Sequence, residues 1–193
     1  MLRAGRLLVA NPLLPDPNFD RTVVLLLAYN EEGALGLVLN RPSQMDVGDP
    51  LPQWEHLAAE PAVLFLGGPV QHQAVICLAR NAPASAPAGE TSSGDTSSDE
   101  WKEVAPGVGT IDLDQDPLTV TGRVRQVRMF AGYAGWSAGQ LEAEMEAGAW
   151  WVVDAEPGDA FTLAPDELWK QVLRRQKLPL KWVAWYPDDP RHQ

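Results

Sequence analysis

Cysteine is almost missing from this sequence. Cys77 is the only one in 193 residues, so no internal disulfide can form, and the missing disulfide framework fits a reducing compartment. Within Val75-Ile76-Cys77-Leu78 it reads as a small buried hydrophobe rather than a redox group. Histidine is scarce as well: His56, His72 and His192 lie far apart and, with one cysteine, supply no metal-ligand spacing. Neither a P-loop nor a G-x-G-x-x-G string is present. No metal and no cofactor is expected.

Long apolar runs are also absent. A membrane-spanning helix needs roughly 20 apolar residues, whereas Val23 to Ala28 and Ala62 to Leu66 have the length of strands. Arg3, Arg6 and Leu7 to Ala10 imitate the start of a signal peptide until Asn11-Pro12 interrupts the run. A cytoplasmic protein without membrane contact is expected. Bases are few: 15 Lys and Arg against 26 Asp and Glu leave a net charge of -11. Direct nucleic-acid binding is not expected from such a chain, because phosphate neutralisation supplies most of that affinity. The cations that do cluster, Lys170, Arg174, Arg175, Lys177 and Lys181, fit the end of a helix whose dipole they complement.

What the chain does have is core-forming material, 45% hydrophobic side chains including eight Trp. That suffices for a single domain over residues 1–193, interrupted by an acidic insertion at about 81–100, NAPASAPAGETSSGDTSSDE, whose composition cannot form a core. Aliphatic and β-branched runs bounded by Gly, Pro and Asn predict strands over 6–13, 22–29, 34–39, 63–66 and 74–78, with Glu31-Glu32-Gly33 as a hairpin turn. Beyond the insertion, strands are predicted over 109–113, 123–130, 149–153 and 160–163. Trp150 and Trp151, adjacent in a strand, must point to opposite faces. Helical periodicity predicts a short piece over 52–58 and helices over 137–147 and 165–176. The first of these helices opens on Ser137 with Gln140 three residues on, the capping-box spacing. Lys181 to Tyr186 reads as an edge strand or surface strap.

Gly135-Trp136-Ser137-Ala138-Gly139 matches the nucleophile-elbow pattern G-x-S-x-G. A triad in that chain order needs a downstream His, and only His192, next to the C-terminal residue, follows. A small serine hydrolase using Ser137 is therefore the alternative reading, and Ser137 as a helix cap the preferred one.

Three blocks together, GRLLVANPLLPDPNFDRTVVLLLAYNEEGALGLVLNRP at 5–42, FLGGPVQ at 65–71 and GYAGWSAGQLEAEMEAGAWWVV at 132–153, resemble the YqgE/AlgH family of small bacterial proteins. That family commonly has His where Tyr29 stands and another residue, often Gly, at Ser137, so neither a His-based site nor a Ser nucleophile carries over. The resemblance implies an α+β protein with a bifurcated, largely antiparallel β-sheet curled into a pseudobarrel with flanking helices, and the AlgH name suggests transcriptional regulation. No basic recognition helix is evident, so any regulation is expected to be indirect.

The resulting expectation is a monomeric, non-catalytic regulatory or binding protein with a protein or small-molecule partner. Asn40, Arg41, Gly67, Gly68, Tyr133, Trp136, Gln140 and Glu144 are expected to line one surface or cleft, unless they brace the fold. Arg41, pushed outward by Pro42 at a strand end, is expected to pair with Glu144.

Overall fold

The computed structural model describes residues 1–82 and 101–187. Its ten strands are β1 (Arg6–Ala10), β2 (Val23–Asn30), β3 (Gly33–Val38), β4 (Pro42–Asp46), β5 (Val63–Leu66), β6 (Val70–Asn81), β7 (Trp101–Ala105), β8 (Val108–Ile111), β9 (Val124–Ser137) and β10 (Trp150–Asp154). Three short helices, α1 (Pro117–Val120), α2 (Gln140–Glu146) and α3 (Leu168–Arg174), join them, with 3-10 segments over Pro52–Leu57, Asp159–Phe161, Pro165–Glu167 and Leu180–Trp185.

The strands form a single sheet in the order β10-β1-β2-β3-β9-β6-β8-β7, antiparallel throughout that path. The sheet forks at β9. Its C-terminal part pairs with β3 (Gly33 opposite Ser137), while Phe130 and Ala131 pair in parallel with Phe65 and Leu66 of β5, which carries β4 on its far side. The sheet also curls: a Cβ on Gly5, just before β1, would come within 2.4 Å of the Val104 carbonyl oxygen on β7, the strand at the opposite edge. The result is the α+β half-barrel that the resemblance implied.

Curling gives the sheet an inside and two covered patches outside. The interior holds Leu7, Val9, Leu25, Leu37, Phe65 and Phe130, together with Leu168, Trp169, Val172 and Leu173 of α3. Alternate residues of the same strands point outward. Leu8, Val24, Leu26 and Trp136 pack with Leu141 of α2 and Trp150, whereas Cys77, Val127 and Met129 pack with Trp54 and Leu57 of the first 3-10 segment and with Val120. Trp150 and Trp151 do separate, the first into an outer patch and the second against the interior.

The predicted strand over 63–66 and the hairpin turn after Asn30 stand as read. Other elements differ. The first strand stops at Ala10, and β9 runs on from the predicted 123–130 to Ser137, because Gly132 serves a close backbone approach within it rather than ending it. β4, β7 and α1 were not predicted. Residues 160–163 are not a strand: Asp159–Phe161 is a 3-10 turn closed by the Asp159 carboxylate, which accepts the Glu156 N–H at 2.7 Å. The C-terminal strap is the 3-10 segment Leu180–Trp185, and the helix expected over 165–176 is α3 preceded by the turn Pro165–Glu167. The acidic insertion falls outside the described residues from 83 to 100, although Asn81 belongs to β6 and the Ala82 N–H still donates to the Arg123 carbonyl.

Candidate functional site

The eight candidate residues divide into two groups. Asn40, Arg41, Gly67 and Gly68 sit at the fork. Leaving β3, the chain buries Asn40, whose Oδ1 accepts the Val23 N–H at 2.9 Å and whose Nδ2 donates to the Arg21 carbonyl at 2.9 Å. Asn40 therefore welds the end of β3 to the start of β2. Gly67 bridges the fork: its N–H donates to Ala131 of β9 and its carbonyl accepts from Val38 of β3, both at 2.8 Å. A Cβ there would lie 2.3 Å from the Gly132 carbonyl oxygen. Gly68, at φ +153°, presses on Tyr133, whose backbone a Cβ would meet at 2.2 Å. Tyr133 itself packs half-buried against the interior.

These turns open a cavity of about 220 Å³ lined by Asn18, Val38, Arg41, Leu66, Gly68 and His72, with Pro17 and Pro69. The Arg41 guanidinium donates to the Asp20 carbonyl and forms no salt bridge among the described residues. His72 is exposed within a bulge of β6, where Val70 opposes Tyr133 and Val75 opposes Ala131, so that four β6 residues stand against one of β9. Gln71 in that bulge has φ +48°, a left-handed conformation costing a side-chain-bearing residue about 1 kcal/mol. Among the described residues the cleft thus collects two basic side chains and no acid, in a chain of net charge -11.

The second group is a clasp on the other branch. Glu144 Oε2 accepts the indole N–H of Trp136 at 2.9 Å and of Trp150 at 2.8 Å, while its Oε1 accepts from Gln140 Nε2 at 3.1 Å. Phe19 stacks on Trp136 with centroids 6.0 Å apart and meets Trp150 edge-on at 5.3 Å. Tyr29 donates to Glu142 at 2.5 Å, and that bond raises the phenol's pKa and lowers the carboxylate's. Trp136, Gln140 and Glu144 thereby fasten α2 to β9 and β10. The expected Arg41–Glu144 pair does not form; both partners are engaged elsewhere, on opposite sides of the loop that joins β1 to β2.

Ser137 ends β9, and Gly139, at φ +74°, stands at the helix cap in its place. Only half of the capping box is present: Gln140 Oε1 accepts both the N–H and the hydroxyl of Ser137 at 3.1 Å. No described histidine bonds to that hydroxyl.

Two polar centres escaped the sequence reading. Arg128 is 2% exposed, with its guanidinium donating to the carbonyls of Ala160 at 3.1 Å, Thr162 at 3.0 Å and Glu60 at 2.5 Å, and lying 4.3 Å above the Phe65 ring. Burial pulls its pKa down to about 10, which leaves it cationic at neutral pH. The signal was present in Val127-Arg128-Met129-Phe130, a cation inside a run apolar on both faces. Arg175 grips the buried Asp159 through two bonds of 2.6 and 2.7 Å, an attachment that raises the guanidinium's pKa. Burial likewise pushes the Cys77 thiol far up, as for an inert core residue. Among the described residues no helix is long and apolar enough to cross a membrane.

The AlgH-like family profile matches residues 7–181. A UPF0301 protein of Streptomyces coelicolor is 50% identical over 186 residues, 96% of this chain and 93% of its own. One of Mycobacterium tuberculosis is 44% identical over 188 residues, 97% of this chain and 89% of its own. The crystal structure of a Corynebacterium diphtheriae protein superposes with a TM-score of 0.86 at 29% identity, over 95% of this chain and 92% of that one. The solution structure of the AlgH protein from Pseudomonas aeruginosa gives 0.63 at 31% identity, over 96% and 94%. The chain belongs to the AlgH-like family.

Proposed function

We propose that this AlgH-like protein is a non-catalytic, cytoplasmic binding protein whose cleft at Arg41, Gly68 and His72 holds a small organic anion, and that any regulatory output passes through a protein partner. One observation carries the reading. Arg41, at the wall of a preformed concavity, has a backbone carbonyl as its partner and no described carboxylate, so a guanidinium fork suited to an anion is left unneutralised. The bulge that presents His72 is held with Gln71 in a strained conformation, the kind of local cost that collects at ligand sites. Asn40, Gly67 and Gly68 act as the frame of this cleft, and the Trp136-Gln140-Glu144 clasp as its remote support.

Among the described residues the lining includes no Ser, Cys or carboxylate to serve as a nucleophile, which separates the cleft from Ser137 and gives the hydrolase reading no observation of its own. The acidic surface remains the argument against nucleic acid as a direct partner, and the chain is proposed to work as a monomer. Titration calorimetry with butyrate tests the anion site. Saturable binding weakened at least tenfold by Arg41→Gln is expected; butyrate that fails to bind, or binds the variant equally, would remove the proposal.

A further inference from the structure

The outer face of β5, β9 and β6 is apolar over successive rungs, but its cover stops short. Leu64, Met129 and Cys77 lie beneath the 3-10 segment Pro52–Leu57. Two residues further along each strand, on the same face, stand Leu66, Ala131 and Val75, with Ala131 paired to both of the others. Leu66 is 46% exposed and Val75 38%. Three residues of β4, Ser43 to Met45, bulge away from β5 opposite Leu64. The bulge opens a second concavity of about 500 Å³ against Leu64, Leu66 and Ala131, with Met45 51% exposed at its wall.

Leu66 lines both this concavity and the Arg41 cleft. The two are therefore neighbours across one side chain, and their combined size matches that of sites for single organic molecules. Their charges oppose each other. The cleft end offers Arg41 and His72, whereas among the described residues the only charged group lining the apolar end is Asp49. An anionic head is drawn to the first and repelled from the second, which leaves the apolar floor for an uncharged tail.

From this juxtaposition we infer that the natural ligand is a single-chain amphiphile with a carboxylate head, its head on Arg41 and His72 and its hydrocarbon chain laid over Leu66 against Leu64, Met45 and Ala131. The inference rests on the anion-site reading and adds the tail. Burial of the additional methylenes is the driving force. Leu66 thus sets specificity, selecting chain length, while Arg41 selects charge.

The test is calorimetric titration of the full chain with decanoate, butyrate and decanol below their aggregation concentrations, on the parent, Arg41→Gln and Leu66→Gln. Leu66 is half exposed, so glutamine is solvated there, and thermal melts check that both variants fold. Decanoate should bind at least about 30-fold more tightly than butyrate. Leu66→Gln, in the wall of both concavities, should weaken decanoate at least about fivefold more than it weakens butyrate, so that the preference for the longer acid falls. Arg41→Gln should weaken both acids and leave decanol unchanged. Equal affinities for butyrate and decanoate, both lost in Arg41→Gln, would overturn the tail and leave the anion site standing. Decanoate binding that ignores Arg41→Gln would overturn both. Backbone amide shifts on decanoate addition should map to Ser43–Met45 and Ala131, and shifts confined to other strands would also refute the inference.

Discussion

Arg128 keeps a charge inside the buried run Val127 to Phe130 of β9. Taking a guanidinium out of water costs several kcal/mol, and here backbone carbonyls from Glu60, Ala160 and Thr162, with the Phe65 ring, stand in for the lost hydration. The benefit is architectural, since these carbonyls come from two segments distant in sequence, around Glu60 and around Ala160 to Thr162, and converge on one donor fork. Lysine offers three donors from a point and cannot span them. Arg128→Lys is therefore expected to lower stability by about 2 kcal/mol and Arg128→Ala by about 3–5 kcal/mol, with an unchanged urea m-value. Glu144 is the complementary case, an anion serving neutral donors. Glu144→Ala leaves two half-buried indole N–H groups without an acceptor and should cost about 1–3 kcal/mol; Glu144→Gln, which retains an acceptor oxygen, should cost less. Chemical denaturation followed by tryptophan emission reads both.

At the level of elements, the fork depends on the absence of a side chain. Gly67 lies where β3, β5 and β9 meet, and the Gly132 carbonyl fills the space a Cβ would need. Gly67→Ala must separate two backbones that exchange hydrogen bonds, so a loss of at least about 2 kcal/mol is expected in equilibrium unfolding. Gly158→Ala, with nothing within 4 Å and an ordinary backbone conformation, should stay within about 0.5 kcal/mol. Such elements explain what a sequence can disclose. Val63 to Leu66 was legible to the residue because Ala-Val-Leu-Phe-Leu ends on Gly-Gly. β9 was cut short because its glycines looked like punctuation, although Gly132 gives way there to a close approach from Gly68 and Val70. β7 borders the low-complexity segment and alternates weakly. The site motifs were visible as strings, but their grouping was not. Which strand Arg41 faces is decided by the fork, a long-range pairing that no local pattern encodes, and Arg41 met a carbonyl on a loop instead of the carboxylate expected.

Across the whole molecule, the two groups of family residues are joined by the loop between β1 and β2. At one end of that loop Pro17 and Asn18 form a wall of the cleft, and the Asp20 carbonyl holds Arg41. Between them Phe19 turns the other way and wedges against Trp136 and Trp150, the indoles that Glu144 restrains. Position is thus transmitted from the α2 clasp to the cleft by three consecutive residues. Those residues are further pinned by the Phe19 carbonyl, which accepts from the Thr22 hydroxyl at 2.9 Å. Phe19→Ala removes the wedge and touches no lining atom. It should weaken butyrate binding about threefold to tenfold, because the wall must then be ordered when the anion arrives, and it should lower stability by about 2–4 kcal/mol through loss of aromatic packing. Phe19→Leu, which refills most of the volume, should restore affinity more fully than it restores stability. Calorimetry paired with urea unfolding on the same preparations separates the two effects. Unchanged affinity in a clearly destabilised Phe19→Ala would mean that the clasp braces its own branch of the sheet and leaves the cleft to Asn40 and the fork.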